Sequence, residues 1–330
     1  MNSSNKEHSN ENHANEKNSN DNYVNENYVN ENYANKAHSH IQNSFYEKTA
    51  RNRITGIVDK DSFVEILKPG SAPTSPNLAS LDITGSFDDG VIIGQAKIKG
   101  DGVYIIAQEG RFMGGAVGEM HGAKIVGMLL KALEEKPKAI VFLVDSGGVR
   151  LHEANAGLIT ISEIMRAMLK VRNAGIPIIT VIGGSNGAFG GMGICSCLST
   201  HIIMTEEGRL ALSGPEVIET LKGVEEFDSK DRALVWRVTG GKTRYLLGHV
   251  QVLVEDDVDE ITQAVADGIQ LSVANVDLAY LQQQQAGLQQ QYDQWFGEKD
   301  SIAIWDAMNI KEPESISMLS AQQVRAIKQG

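Results

Sequence analysis

Between Ala139 and Gly193 the chain carries two uninterrupted apolar runs, each ending in a glycine-rich turn, and this pairing leaves few folds open. Ala139–Val144 (AIVFLV) leads into Asp145-Ser146-Gly147-Gly148-Val149-Arg150. Residues 176–182 (IPIITVI) lead into Gly183-Gly184-Ser185-Asn186-Gly187-Ala188-Phe189-Gly190-Gly191. Apolar runs without alternation suit strands covered on both faces, as in a parallel sheet. Leu158, Ile161, Met165, Met168 and Leu169 recur between them at helical spacing, so the stretch reads as one βαβ unit. Ligands of open parallel sheets bind beyond the carboxyl ends of the strands, where both turns fall. Glycine lets a backbone N–H approach a ligand closely. Two such turns on neighbouring strands are therefore expected to aim two N–H donors at one oxygen.

The rest of the 330-residue chain, 42% apolar overall, is organised around this unit. Residues 1–44 are asparagine-rich, with near-identical pentads at 20–24, 25–29 and 30–34. Such a polar repeat buries too little apolar area to offset chain entropy, which predicts a disordered leader. Pro69, Pro73 and Pro76 mark a loop, and residues 82–108 alternate short apolar runs with Gly90, Gly94, Gly100 and Gly102, as antiparallel strands do. A third glycine-rich segment, residues 111–122, precedes a helix over 124–135 that Pro137 ends. Downstream, 197–205 and 209–212 read as short strands, Pro215 as a helix start, 228–239 as a helix and 250–254 as a last strand. One or two helices follow over 257–295, and an apolar tail (Ile302, Ile304, Trp305, Met308) docks on its own core or on a partner. The expected division is a leader at 1–44, an α/β domain at 45–255 and a helical segment at 256–330.

Charge and cysteine content narrow the function. The formal net charge is −12, of which the six acids and three lysines of the first forty residues supply a quarter, so nucleic acid and anionic membrane surfaces are poor partners. No apolar run approaches the roughly 18 residues of a membrane span, and the amino terminus lacks an apolar signal core. Cys195 and Cys197 alone build neither a disulfide framework nor a four-cysteine zinc site. A cytoplasmic protein without a metal is expected.

Rival motifs were weighed on their geometry. Gly240-Gly241-Lys242-Thr243 resembles the end of a phosphate loop, but Trp236 stands where that loop needs glycine and no strand precedes it. No G-x-G-x-x-G follows an apolar strand. Gly183-Gly184-Ser185-Asn186-Gly187 fits the G-x-S-x-G of a nucleophile elbow, with Asp228, Asp231, Asp256, Asp257 and His249 downstream in the right chain order. A serine hydrolase using Ser185 therefore stays an alternative, although no HGGG-like segment supplies its second oxyanion donor. A non-catalytic scaffold, its glycines serving only tight packing, is another. His121 and His152 each sit beside an acid (Glu119, Glu153) and read either as general acids or as surface and helix-start residues. Arg150 and Lys124 are candidates to steer an anionic substrate, and Arg150 equally to cap a helix or pair with Glu153.

Taken together, Phe112-Met113-Gly114-Gly115-Ala116-Val117-Gly118-Glu119-Met120-His121-Gly122, the Asp145 to Arg150 turn and the Gly183 to Ala188 turn resemble the thioester-binding half of the carboxyltransferases and decarboxylases of the crotonase superfamily. Within it, Asp145-Ser146-Gly147-Gly148-Val149-Arg150-Leu151-His152-Glu153-Ala154-Asn155 and the segment 183–193 are most similar to the β-subunit family of the biotin-independent malonate decarboxylases, over residues 44–268. The resemblance implies a spiral of ββα units with C-terminal helices. It implies that main-chain N–H groups of Gly148 or Val149 and of Gly187 or Ala188 hold the thioester carbonyl. Met113, Gly114 and Gly115 would lie against the thiol arm, with Arg150 beside the bound group. The implied reaction converts malonyl thioester on an acyl carrier protein to acetyl thioester and CO2 through an enolate. The carrier's arm would be a phosphoribosyl-dephospho-CoA group, with neither metal nor biotin. Implied partners are a γ subunit of the same fold, the acyl carrier protein and an α transferase subunit. A biotin-dependent acyl-CoA carboxyltransferase is the alternative on the same fold; the absence of a four-cysteine zinc ribbon separates the chain from the bacterial acetyl-CoA carboxylase β subunits.

Overall fold

The computed structural model describes residues 43–68, 75–85 and 88–329. The leader expected at 1–44 falls almost wholly outside the described residues. Seven strands form one sheet in sequential order: β1 (Val64–Ile66), β2 (Val91–Ile98), β3 (Asp101–Gln108), β4 (Ala139–Val144), β5 (Ile178–Ile182), β6 (His201–Thr205) and β7 (Val252–Val254). Pairing is antiparallel from β1 to β3 and parallel from β3 to β7. The switch at β3 follows from its connections. A tight turn at Lys99 and Gly100, both with positive φ, returns β2 into β3. Every later strand arrives only after helix or long loop, as a parallel crossover requires.

The helices, in chain order, are α1 (Ala50–Ile57), α2 (Pro76–Ala79), α3 (Glu119–Glu135), α4 (Asn155–Asn173), α5 (Gly190–Cys197), α6 (Pro215–Lys222), α7 (Arg232–Thr239), α8 (Gly241–Leu246), α9 (Val258–Ile269), α10 (Leu278–Trp295), α11 (Ser301–Ala307) and α12 (Ala321–Gln329). All six residues of β4 are buried because both faces of the sheet are covered. Its alternate side chains serve opposite cores. Ile140, Phe142 and Val144 meet Ile125 and Met128 of α3 and Ile164 and Met168 of α4, whereas Ala139, Val141 and Leu143 join Ile54 of α1 and Ile261 and Val265 of α9. Each such side chain contributes about 1.5–3 kcal/mol, and truncating Phe142 to alanine would cost about 3–5 kcal/mol.

One expected strand is shorter than expected and another is absent. Residues 197–200 close α5 through turn bonds (Leu198 N–H to Cys195 O, 3.0 Å; Ser199 N–H to Ser196 O, 3.1 Å), so β6 starts only at His201. Arg209 and Leu210 make single bridges to Gly240 and Ala188 rather than a strand. Gly240 lies between two helices, α7 and α8, and not after a strand. The C-terminal tail docks on its own core: Trp305, Ile316, Ala321 and Val324 are buried with the α3–α4 cluster. The boundary expected at 255/256 falls between β7 and α9, and both belong to the packing of the sheet.

Candidate active site

The three glycine-rich segments meet at the carboxyl ends of β4 and β5, knitted together by main-chain bonds. Ser146 N–H donates to Gly187 O (2.7 Å) and Phe189 N–H to Ser146 O (3.0 Å), so the second and third turns extend the parallel sheet by one bridge. Gly147 N–H reaches Gly114 O (2.8 Å), and Val117 pairs with both Gly148 O and Arg150 N–H. Close approach explains the glycines. A Cβ on Gly115 would overlap Asp145 O, and one on Gly148, where φ is +121°, would stand 3.2 Å from Phe189 O and 3.3 Å from Gly190 Cα.

An account of the amides separates those that hold the fold from those left for a ligand. Gly148 N–H donates to Ser146 Oγ (3.1 Å). Gly187 N–H donates to Gly184 O (3.1 Å) and Ala188 N–H to Arg209 O (2.8 Å). Among the described residues, Val149 N–H has no acceptor. At the start of α5, Gly190 N–H takes Leu212 O (2.9 Å) and Gly193 N–H takes Phe189 O (3.1 Å), while Gly191 and Met192 N–H have no acceptor among the described residues. Helix starts leave such donors by construction. Val149 and Gly191 are partly exposed, and each directly follows one of the two glycines, Gly148 and Gly190, that touch. Of the amides expected from the sequence, Val149 alone is unengaged. Gly191 was missed there, although its place directly after a helix start was the signal.

Of the roles open to Arg150 from the sequence, the pairing with Glu153 is the one that forms. Arg150 is fully buried and spent inside the protein. Its guanidinium lies 2.9 Å from Asp89 and 2.9 Å from Glu153, donates to Asp89 O and Ala116 O, and sits 5.5 Å from the Phe112 ring centroid. It is thus no contact for a bound group: it fixes the second turn. Glu153 in turn accepts from Glu119 N–H (2.6 Å) at the start of α3 and from Ser75 Oγ (2.7 Å). Lys124 is likewise buried, donating to Asp88 O (2.8 Å) and Val91 O, and burial pushes its pKa down to about 8. Neither cation is placed to steer a substrate. His121 is enclosed, its Nε2 accepting from Gln108 Nε2 (3.0 Å) and its Nδ1 donating to Asp89 O (2.9 Å). Burial lowers its pKa to about 3, so it stays neutral and cannot serve as an acid at the turns. His152 is exposed on the short turn Leu151–Glu153.

Asp145 supports the third turn from beneath. Its carboxylate pairs with buried Arg53 of α1 (2.7 Å) and accepts from Asn186 N–H (2.7 Å). Arg53 also ties down Phe45 O and Tyr46 O. Ser185 is exposed at the tip of this turn, its hydroxyl met among the described residues by Asn186 Nδ2 alone, at 3.4 Å. His249 is engaged by Gln291 (2.9 Å) and Arg244, and His201 packs against Gly268. No histidine is hydrogen-bonded to Ser185 among the described residues, so the hydrolase constellation is not assembled. Met113 and Gly114 remain partly exposed, Gly114 near Asn186, while Gly115 is buried. Among the described residues no cluster of three or more His, Cys, Asp or Glu is arranged to hold a metal, and no helix is long and apolar enough to cross a membrane.

Comparison with known proteins bears on this geometry. The carboxyl transferase domain family matches residues 42–273. The malonyl-S-ACP:biotin-protein carboxyltransferase MADC of Malonomonas rubra is 36% identical over 302 residues, covering 86% of this chain and 95% of its own. A Pseudomonas malonate decarboxylase hetero-tetramer in complex with malonate contains a chain 37% identical, with a TM-score of 0.68 over 72% of this chain and 90% of its own. The Pseudomonas malonate decarboxylase MdcD–MdcE hetero-dimer matches at 32% identity and a TM-score of 0.59, covering 74% of this chain and 97% of its own. The sheet, its helical cover and the three turns are thus a crotonase-like carboxyltransferase fold, and the chain belongs to the carboxyl transferase domain family, in the group that includes malonate decarboxylase subunits.

Proposed function

We propose that the chain is the thioester-binding subunit of a malonate decarboxylase, and that it promotes loss of the carboxyl group from a malonyl thioester carried on an acyl carrier protein. The observation that carries this reading is the pair of amides without an acceptor among the described residues, Val149 and Gly191, each directly following one of the two glycines, Gly148 and Gly190, that touch. Departure of CO2 leaves an enolate whose charge resides largely on the thioester oxygen. Preorganised amides stabilise that charge without reorganising, and each is worth about 2.7–4 kcal/mol by the cost of removing one. Val149 and Gly191 are the donors in this reading. Gly148, Gly187 and Ala188 shape the turns that present them. Exclusion of water from around the carboxylate favours neutral CO2 over the anion. Neutral, enclosed His121 leaves water or exposed His152 to protonate the enolate carbon.

The carrier's thiol arm, a phosphoribosyl-dephospho-CoA group in this reading, lies along Met113 and Gly114, whose partial exposure suits a slender chain. A second subunit of the same fold closes the site. Leu151, Leu158, Ile159 and Leu212, on the segments that follow the turns, are exposed, and the relatives from Pseudomonas are hetero-oligomers. Exposed apolar side chains of this kind are available to a partner. An α transferase subunit then exchanges acetate for malonate on the carrier.

The likeness to MADC favours a second reading, in which the carboxyl group passes to a biotin protein instead of leaving as CO2. Both share the enolate and differ only in the acceptor. Feeding malonyl thioester to the co-purified complex separates them. Release of CO2 that is indifferent to avidin supports the decarboxylase. Turnover that requires a biotinylated protein, and that avidin abolishes, supports the transferase. No consumption under either condition overturns both.

A further inference from the structure

Arg209 makes no ion pair among the described residues; the carboxylates of Glu216 and Asp145 act on it only from beyond ion-pair distance. Its guanidinium donates to Ser185 O at the tip of the third turn and is stacked between two rings, 5.6 Å from the Phe189 centroid and 4.6 Å from that of Trp236. Arg232 also lies over the Trp236 ring, at 4.6 Å, and pairs with Glu207 at 3.0 Å. Phe189, Arg209, Trp236 and Arg232 thus form a ladder that holds positive charge beside the site of a chain with net charge −12. A cavity of about 390 Å³, lined by Trp236, Arg232 and Lys242 and also by Glu206 and Glu207, adjoins the ladder.

A half-buried guanidinium with no carboxylate in contact, set against aromatic rings, is preorganised for an anion that arrives with a ligand. Two anionic groups come with a malonyl thioester: its carboxylate and the phosphate of its carrier arm. A firm ion pair to the carboxylate would be strongest before CO2 leaves and absent afterwards, so it would raise the barrier. Arg209 also lies on the exposed Ser185 side of the third turn, whereas the unengaged amides lie on the Gly148–Gly190 side. We propose that Arg209 binds the phosphate of the carrier arm, with the Trp236–Arg232 stack holding it in place. This rests on the thioester reading above, and it assigns to that site a recognition residue for the arm.

Equilibrium binding of non-reacting acetyl thioesters to the co-purified complex tests this independently of turnover. Acetyl-dephospho-CoA retains the phosphates and acetyl-pantetheine has none. Arg209→Gln is expected to weaken acetyl-dephospho-CoA by about tenfold or more, the loss typical of a hydrogen bond to a charged group. Acetyl-pantetheine should stay within about twofold, and Arg209→Lys should restore only part, since a point charge lacks the planar fork. Equal weakening of both ligands would mean that Arg209 only braces the Ser185 loop, and would overturn the assignment. So would unchanged binding of both. Weakening confined to malonyl-pantetheine, with acetyl-pantetheine unaffected, would reassign Arg209 to the carboxylate and overturn it as well. If wild-type complex binds acetyl-dephospho-CoA through Arg209 yet never consumes malonyl thioester, the arm site stands and the catalytic reading falls.

Discussion

The second and third glycine turns are alike in composition and opposite in use. Around Gly148 the chain is pinned through Ser146 Oγ and Val117, which leaves the next amide, Val149, without an acceptor. Around Gly187 the amides of Gly187 and Ala188 are consumed, by Gly184 O and Arg209 O; among the described residues, Ser185 N–H at the tip and Gly191 and Met192 N–H at the start of α5 have no acceptor. One turn offers a donor directly. The other offers one through the helix it launches. Glycine content marks where backbones approach, but only a hydrogen-bond account tells a donor from a strut.

Substitutions that remove an amide from one turn and a strut from the other probe this difference, and the largest effect is expected on chemistry. Val149→Pro deletes an unengaged N–H, so kcat should fall about 10^2–10^3-fold while Val149→Ala keeps near wild-type turnover, as steady-state assays of the complex would record. Asp145→Ala strips Arg53 of its buried partner and frees Asn186. It should lower stability by about 3–5 kcal/mol in denaturant titration, the range for breaking a buried pair. Gly187→Ala places a side chain at φ +69° and 2.6 Å from Arg209 O. A loss of about 1–3 kcal/mol from strain is expected, with kcat of the folded fraction retained; a selective loss of kcat would instead return Gly187 to the oxyanion. Smallest of all, Ser185→Ala should leave turnover within about twofold, because an exposed tip hydroxyl that touches no base contributes no nucleophile.

Away from both turns, Glu206 gives a prediction in pH. Burial, helped by its hydrogen bond to Glu255, pushes its pKa up to about 7 from an ordinary 4.5. The folded chain then holds a proton that the unfolded chain has released, so this contribution is complete below about pH 4.5 and is lost as pH rises through 7. Glu206→Gln should flatten that decline and leave the variant more stable than wild type at pH 8, measured by thermal melts across the range.

Much of the scaffold was legible because its signals are strong and local. Uninterrupted apolar runs at β4 and β5, helical spacing in α4 and paired glycines at the β2–β3 turn each specify one element. The failures have a common origin. Cys197-Leu198-Ser199 continues an apolar pattern but serves as the end of α5, and residues 209–212 carry strand-like residues that only bridge neighbouring loops. Arg150 and Lys124 looked available because sequence does not display burial: the Glu153 partner of Arg150 was legible three residues on, but Asp89 and the carbonyls of Asp88 and Val91 meet the two cations only in the fold. Arg209 went unnoticed because its stacking on Phe189 and Trp236 and its bond to Ser185 O arise only in three dimensions.

The central claim is that two main-chain amides, Val149 and Gly191, grip the thioester oxygen. Isotope-edited infrared spectroscopy of acetyl thioester labelled with 13C at the carbonyl, bound to the complex, addresses it most directly. The account predicts a carbonyl band shifted to lower wavenumber on binding, and a band that returns toward its solution position in the Val149→Pro complex. A bound thioester whose carbonyl band is unshifted, or whose shift survives that substitution intact, would contradict it.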